Sequence, residues 1–227
     1  RLADSVHDAN QSLPGRIAML DLVVARRQMI EQQVRAWEVL DPGVLIVMER
    51  VPREEFAPAP YRELAFADLC VPLGHGQSML APSLEGRILQ SLEVQPDDRV
   101  LEAGTGSGYF AACLGALARS VRSLEIFPDL ADAARDNLAR TGAHNVTVEV
   151  MDATTLDVDG AYDVIALTGS LPVYDPRFER ALAAGGRLFV VTGQGSAMAA
   201  QRITRKGPSE WLRESLFETA VAALIHA

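Results

Sequence analysis

Apolar residues recur at three- and four-residue steps from Ile17 to Leu40: Ile17, Leu20, Val23, Val24, Ile30, Val34 and Trp37. That spacing predicts a helix with one buried face and places Trp37 in the core. Asp41-Pro42 predicts a second helix, with Asp as N-cap and Pro at the first helical position. Val44, Leu45 and Met48 supply its buried face. Pro52, Pro58 and Pro60 interrupt the next stretch, so residues 17–65 read as a helical preamble without a strong strand. Residues 66–82 read as a loop holding Gly74 and Gly76, followed by a short helix with Leu84, Ile88, Leu89 and Leu92 on one side.

From Arg99 the period changes. Short apolar runs at 99–103, 121–125, 146–151, 162–167 and 187–192 predict strands, and helical stretches lie between them at 108–118, 129–140 and 176–184. Asp129 and Asp175 are the expected caps. Residues 214–225 read as a last, apolar strand at the sheet's edge. Strand–helix alternation of this kind predicts an α/β fold with a doubly wound, mostly parallel sheet covered on both faces. The expected organisation is a flexible arm at 1–16 ending in Pro14-Gly15, a helical extension with a substrate loop at 17–82, and a ligand-binding domain at 83–227. Ligands in such sheets bind beyond the carboxyl ends of the strands, where the strand order reverses.

Composition narrows the chemistry. Of 227 residues, 48% are hydrophobic and 22% charged, which suits a packed core and argues against disorder. No run reaches the roughly 18 uncharged apolar residues of a membrane span, and no signal-peptide pattern opens the chain. The missing initiator Met reads as a trimmed or partial start. A net charge of −9 repels polyanions, and the densest basic group, Arg202, Arg205 and Lys206, is small, so no nucleic-acid partner is expected. Cys70 and Cys113 read as reduced core thiols of a cytoplasmic protein. His7, His144 and His226 show no metal-ligand spacing, so no metal is expected. Trp211 reads as a surface or packing residue near the last strand.

The stretch 100–114, VLEAGTGSGYFAACL, carries the sharpest signal. A strand ends at Glu102, glycines follow at Gly104, Gly106 and Gly108, and a helix begins. A dinucleotide fingerprint needs a third glycine where Tyr109 stands, and no Lys-Ser or Lys-Thr follows to make a phosphate-binding P-loop. The next strand ends at Glu125, 23 residues after Glu102, where a carboxylate can accept both ribose hydroxyls. The third ends at Met151-Asp152, where Asp can accept from an exocyclic amine beside apolar atoms. Bland readings stand beside these. A lone G-x-G-x-G occurs in many turns, Glu125 suits a solvated strand end, and Asp152 suits a cap for residues 153–157. The joint placement at three successive strand ends points to a bound nucleoside.

The glycine loop resembles motif I of class I S-adenosylmethionine-dependent methyltransferases. With that cationic cofactor, Glu102 either attracts the positive portion or orders the loop. The blocks VPREEFAP, GHGQSMLAP, DRVLEAGTGSGY, NVTVEVMD, AYDVIALTGS and ALAAGGRL extend the resemblance over residues 25–225 to the protein-L-isoaspartate O-methyltransferase family. RRQMIEQQVR at 26–35 resembles that family's opening helix.

The resemblance implies a Rossmann-like fold with an N-terminal helical addition. It also implies methyl transfer from S-adenosyl-L-methionine to the α-carboxylate of isoaspartyl residues in damaged proteins. It implies cofactor contacts at Glu102, Gly104, Thr105, Gly106, Gly108, Glu125, Ile126, Asp152 and Ala153, and an acceptor site at Gln77, Ser78 and Leu80. The family usually reads G-Q-T-I-S-x-P in the acceptor loop; here Ser78 replaces the threonine and Leu80 the serine. After the fourth strand, Thr168-Gly169-Ser170 replaces small apolar residues. Three outcomes follow from this departure: Ser78 substitutes for the serine, the acceptor is a different peptide or small molecule, or the chain binds cofactor without turnover. His75 and Gln77 are open to a substrate carboxylate or to bracing the loop, and Asp68 to bonding that loop or capping a turn.

Overall fold

The computed structural model describes residues 13–195 and 197–227. The rest of the expected arm, residues 1–12 with His7, lies outside them, while residues 13–16 belong to the first helix, α1 (Leu13–Met29). Pro14 is tolerated there because the first turn leaves its N–H groups unpaired. The helix widens into a π turn, Ile30–Val34, and then tightens into a 3₁₀ turn, Arg35–Trp37. Trp37 is not in the core: it is 52% exposed, with the Arg87 guanidinium 5.6 Å from its ring. The buried face runs instead through Met29, Ile30 and Val34. Helix α2 (Pro42–Arg50) starts as expected, with Asp41 Oδ1 accepting from the Val44 N–H at 2.9 Å.

Residues 66–82 are not wholly loop. Val71–Gly74 (β1) and Gln77–Met79 (β2) pair antiparallel around a turn in which Gly74, His75 and Gly76 all have positive φ. Helix α3 (Pro82–Leu92) follows. Asp68 Oδ1 accepts from the Ser83 N–H at 3.0 Å, so it braces the start of this helix.

The alternating segments are β3 (Arg99–Ala103), α4 (Tyr109–Leu117), β4 (Ser120–Glu125), α5 (Pro128–Thr141), β5 (Val146–Val150), β6 (Tyr162–Leu171), α6 (Arg177–Arg180) and β7 (Leu182–Gln194). β8 (Ala197–Gly207) and β9 (Glu210–Glu218) complete a seven-stranded sheet of order β5-β4-β3-β6-β7-β8-β9. The first five neighbours in that order run parallel, and β8 and β9 add on antiparallel. The order reverses between β3 and β6, which opens the crevice where α/β sheets bind ligands.

Strands buried on both faces read as continuous apolar runs. Val100, Val164 and Ala166 face one side with Ile88, Leu89, Phe110 and Ala134. Leu101, Ile165 and Leu167 face the other with Phe178 and Leu182. The extension shares the first of these cores through Met29, Val34 and Met48.

Four expectations are corrected. The helix over 176–184 is one turn, because Leu182 already enters β7. Asp129 does not cap α5, whose N-cap is Phe127, and lies in the first turn instead. The last strand occupies 210–218, and the residues after it turn back over the sheet. Cys70 is exposed, whereas Cys113 is buried as expected. The two arginines of the Arg202–Lys206 group are committed internally: Arg202 pairs with Glu93 and Glu214, and Arg205 with Asp159.

Candidate functional site

The turn after β3 is fixed from several directions. Gly104, Gly106 and Gly108 all have positive φ, at 96°, 54° and 85°. A side chain at Gly104 would also collide, since an added Cβ would lie 2.3 Å from Thr168 Oγ1. That hydroxyl reaches the Gly104 carbonyl at 2.7 Å and the Ala103 carbonyl at 2.9 Å, tying β6 to the loop across the crevice. The Gly104 N–H donates to Leu124 O at 2.9 Å.

Glu102 orders the loop from beneath. Its side chain is fully buried and shares a short hydrogen bond with Ser123 Oγ, which lies 2.5 Å from Thr105 Oγ1. Burial pushes its carboxyl up to about 8 against the lowering effect of the Ser123 bond. It does not reach the crevice wall, so of its two expected roles this arrangement supports the ordering one.

Glu125 is on the wall. Its Oε2 accepts from the Gly106 N–H at 2.8 Å and its Oε1 from the Phe127 N–H at 3.1 Å. Asp152 is also on the wall and does cap the turn Ala153–Thr155, accepting from the Thr154 N–H at 2.8 Å. Its other oxygen meets His226 Nδ1 at 2.8 Å. Partial burial raises the Asp152 carboxyl, but the Thr154 and His226 bonds outweigh it and hold the group below the usual range. Thr105, Gly106, Ile126 and Ala153 line the same space; Gly108 lies behind, against Ala134 and Leu138 of α5.

The hairpin closes the opposite side. Gln77, Ser78 and Leu80 all reach the crevice, so the structure brings the expected acceptor loop to the expected cofactor loop. His75 does not point to this space: its ring stacks on Phe127 at 4.2 Å and its Nε2 lies 2.8 Å from Asp129 Oδ2, docking the hairpin tip on α5. Gln77 Nε2 donates to the His75 carbonyl at 3.3 Å, which braces the turn.

Two parts of the wall were not expected. The segment 220–225 folds across the crevice: Ser170 N–H donates to Ala222 O at 2.8 Å, Leu224 N–H to Ser170 O at 3.0 Å, and Ser170 Oγ to Val221 O at 3.1 Å. Gly169 makes room for it, since an added Cβ would lie 2.8 Å from Leu224 Cδ2. Glu85 is the other: it is buried and on the wall. Its sequence signal is an acid on the apolar stripe of α3, three residues before Ile88 and four before Leu89.

The donor set defines what fits. The charged residues on the wall are Glu85, Glu125 and Asp152, and no Lys, Arg or His lines it among the described residues. Such a cleft suits a cationic ligand rich in hydroxyl and amine donors, and it is unsuited to a pyrophosphate. No group of three or more potential metal ligands occurs among the described residues.

The fold is that of a Rossmann-like class I methyltransferase. A crystal structure titled as a putative protein-L-isoaspartate O-methyltransferase from Plasmodium falciparum, in complex with S-adenosyl-L-homocysteine, superposes with a TM-score of 0.78. The match is 20% identical and covers 88% of this chain and 97% of that one. A second structure, titled protein-L-isoaspartate O-methyltransferase, superposes at 0.75 with 23% identity and covers 87% and 65% of the two chains.

The family model "Protein-L-isoaspartate(D-aspartate) O-methyltransferase (PCMT)" matches residues 25–224, and the chain belongs to that family. The protein-L-isoaspartate O-methyltransferase of Rhodopseudomonas palustris is 38% identical over 201 residues, covering 88% of this chain and 92% of the relative. That of Methanoculleus marisnigri is 40% identical over 169 residues, covering 74% and 77%.

Proposed function

We propose that the protein transfers the methyl group of S-adenosyl-L-methionine to the α-carboxylate of isoaspartyl residues in damaged proteins. One observation carries this reading: a cleft whose charged residues, among those described, are all acidic joins the glycine loop to the hairpin Gln77–Leu80. Family membership favours this acceptor over a different one and over loss of turnover.

Gly104–Gly106, Glu125 and Asp152 would hold the cofactor, with Ile126 and Ala153 flanking its base. When bound, it supplies an electrophilic methyl carbon on a positively charged sulfur, which keeps the electron pair of the broken bond. The acceptor carboxylate is already ionised near pH 7, so no general base is needed. What the chain contributes is alignment and exclusion of water.

Ser78 offers a hydroxyl on the acceptor side, and Leu80, Leu84, Phe110 and Leu224 keep that side dry. With no cationic side chain on the wall among the described residues, a carboxylate acceptor would find its positive partner in the cofactor itself. Unpaired thiols at Cys70 and Cys113 suit a reducing, cytoplasmic setting. No helix among the described residues is long and apolar enough to cross a membrane.

The test is transfer of labelled methyl to a synthetic isoaspartyl peptide beside its normal aspartyl twin. Base-labile label, released as volatile methanol from the isoaspartyl peptide alone, is the expected result. Equal labelling of both peptides, or of neither, contradicts the proposal.

A further inference from the structure

Behind the acceptor hairpin lies a guanidinium without solvent contact. Arg53 is 0% exposed, and a buried ion is costly unless its donors are satisfied. Its Nε donates to Ala65 O at 2.8 Å and its Nη2 to Leu80 O at 2.7 Å. Its Nη1 pairs with the Glu85 carboxylate. The guanidinium carbon sits 4.7 Å from the ring of Tyr109, the first residue of α4. One side chain thus touches the turn before the hairpin, the hairpin's exit, α3, and the helix that follows the glycine loop.

Stability alone does not require this arrangement. Buried ion pairs replaced by apolar residues of similar volume often leave a protein as stable or more so. What the planar fork supplies is direction: it fixes several acceptors in one plane, a rigid geometry that a lysine ammonium does not reproduce. The acceptor it fixes in the hairpin is the Leu80 carbonyl, at the end of the segment that carries Ser78 to the cleft.

We infer that Arg53 is a positioning residue for methyl transfer, holding the hairpin Gln77–Leu80 at a set distance from the glycine loop. An in-line displacement is sensitive to that distance, and a misplacement of about 1 Å can cost about a hundredfold in rate. The consequence for turnover rests on the isoaspartyl reading above; the clamp itself does not.

Arg53→Lys tests the clamp by two independent measurements. Amide hydrogen exchange reads the hairpin without any substrate: residues 77–81 are expected to exchange about tenfold faster, with α4 unchanged. Turnover of an isoaspartyl peptide is expected to fall about tenfold or more in kcat/KM while affinity for S-adenosylhomocysteine stays that of the parent. Parental exchange and parental kcat/KM overturn the inference, as does a loss of cofactor affinity in step with turnover. Faster exchange in the variant of a parent silent on the peptide removes only the substrate reading. If Arg53→Lys does not fold, Arg53→Gln, which removes the guanidinium and leaves Glu85 on the cleft wall in place, is read the same way. Failure of both variants to fold assigns Arg53 to stability alone and overturns the inference.

Discussion

The Glu125 carboxylate holds the Gly106 N–H at 2.8 Å, so the residue expected to receive a ribose also fixes the loop beneath it. Removing that carboxylate acts twice, on the ligand and on the loop's shape. Glu125→Ala is therefore expected to weaken S-adenosylhomocysteine binding by about 1–3 kcal/mol. Calorimetry measures it directly, and an unchanged affinity removes Glu125 from the site.

Gly104→Val is expected to abolish cofactor binding. The position has φ 96°, which β-branched residues avoid, and its Cβ direction points at Thr168 Oγ1 2.3 Å away. Retained S-adenosylhomocysteine affinity in the folded variant contradicts the close approach between β3 and β6.

Ser78 and Leu80 both face the cleft from the hairpin, which sets up a paired test of the acceptor side. Ser78→Ala is expected to lower kcat/KM for an isoaspartyl peptide about tenfold, the value of a lost hydrogen bond of roughly 1.4 kcal/mol. Leu80→Ser added to that variant is expected to restore part of the loss. If Ser78→Ala is silent, the hydroxyl has no role in orienting the acceptor.

A buried acid predicts a pH dependence of stability. Burial raises the Glu102 carboxyl to about 8. A carboxyl whose pKa rises on folding favours the folded state fully below its unfolded value, and that contribution is lost as pH climbs through the folded value. Asp152 and Asp163 shift downward and titrate below this window. Urea unfolding is thus expected to show falling stability from about pH 4.5 to 8, with a shallower fall in Glu102→Gln. Identical slopes contradict a protonated Glu102.

Much of this site is legible from residues alone, because its parts are local. The ends of β3, β4 and β5, at Ala103, Glu125 and Val150, fall within two residues of the positions 102, 125 and 152 that period and turn residues give, and the glycines announce a turn that side chains disfavour. What escapes is set by distant contacts. Residues 219–225 are apolar enough for a strand, yet they leave the sheet because Gly169 and Ser170 offer a docking place some fifty positions earlier. The hairpin is hidden by its glycines, which read as loop until β1 and β2 are seen to pair. Trp37 shows the limit of periodicity: the helix widens into a π turn at Ile30–Val34, and the apolar stripe rotates away from it.

A crystal structure with S-adenosylhomocysteine tests the whole account in one step. The adenosyl group is expected beyond the carboxyl ends of β4 and β5, with its ribose hydroxyls about 3 Å from Glu125 and its sulfur at the glycine loop facing Ser78 and Leu80. A ligand seated elsewhere, or one whose sulfur turns away from the hairpin, contradicts it.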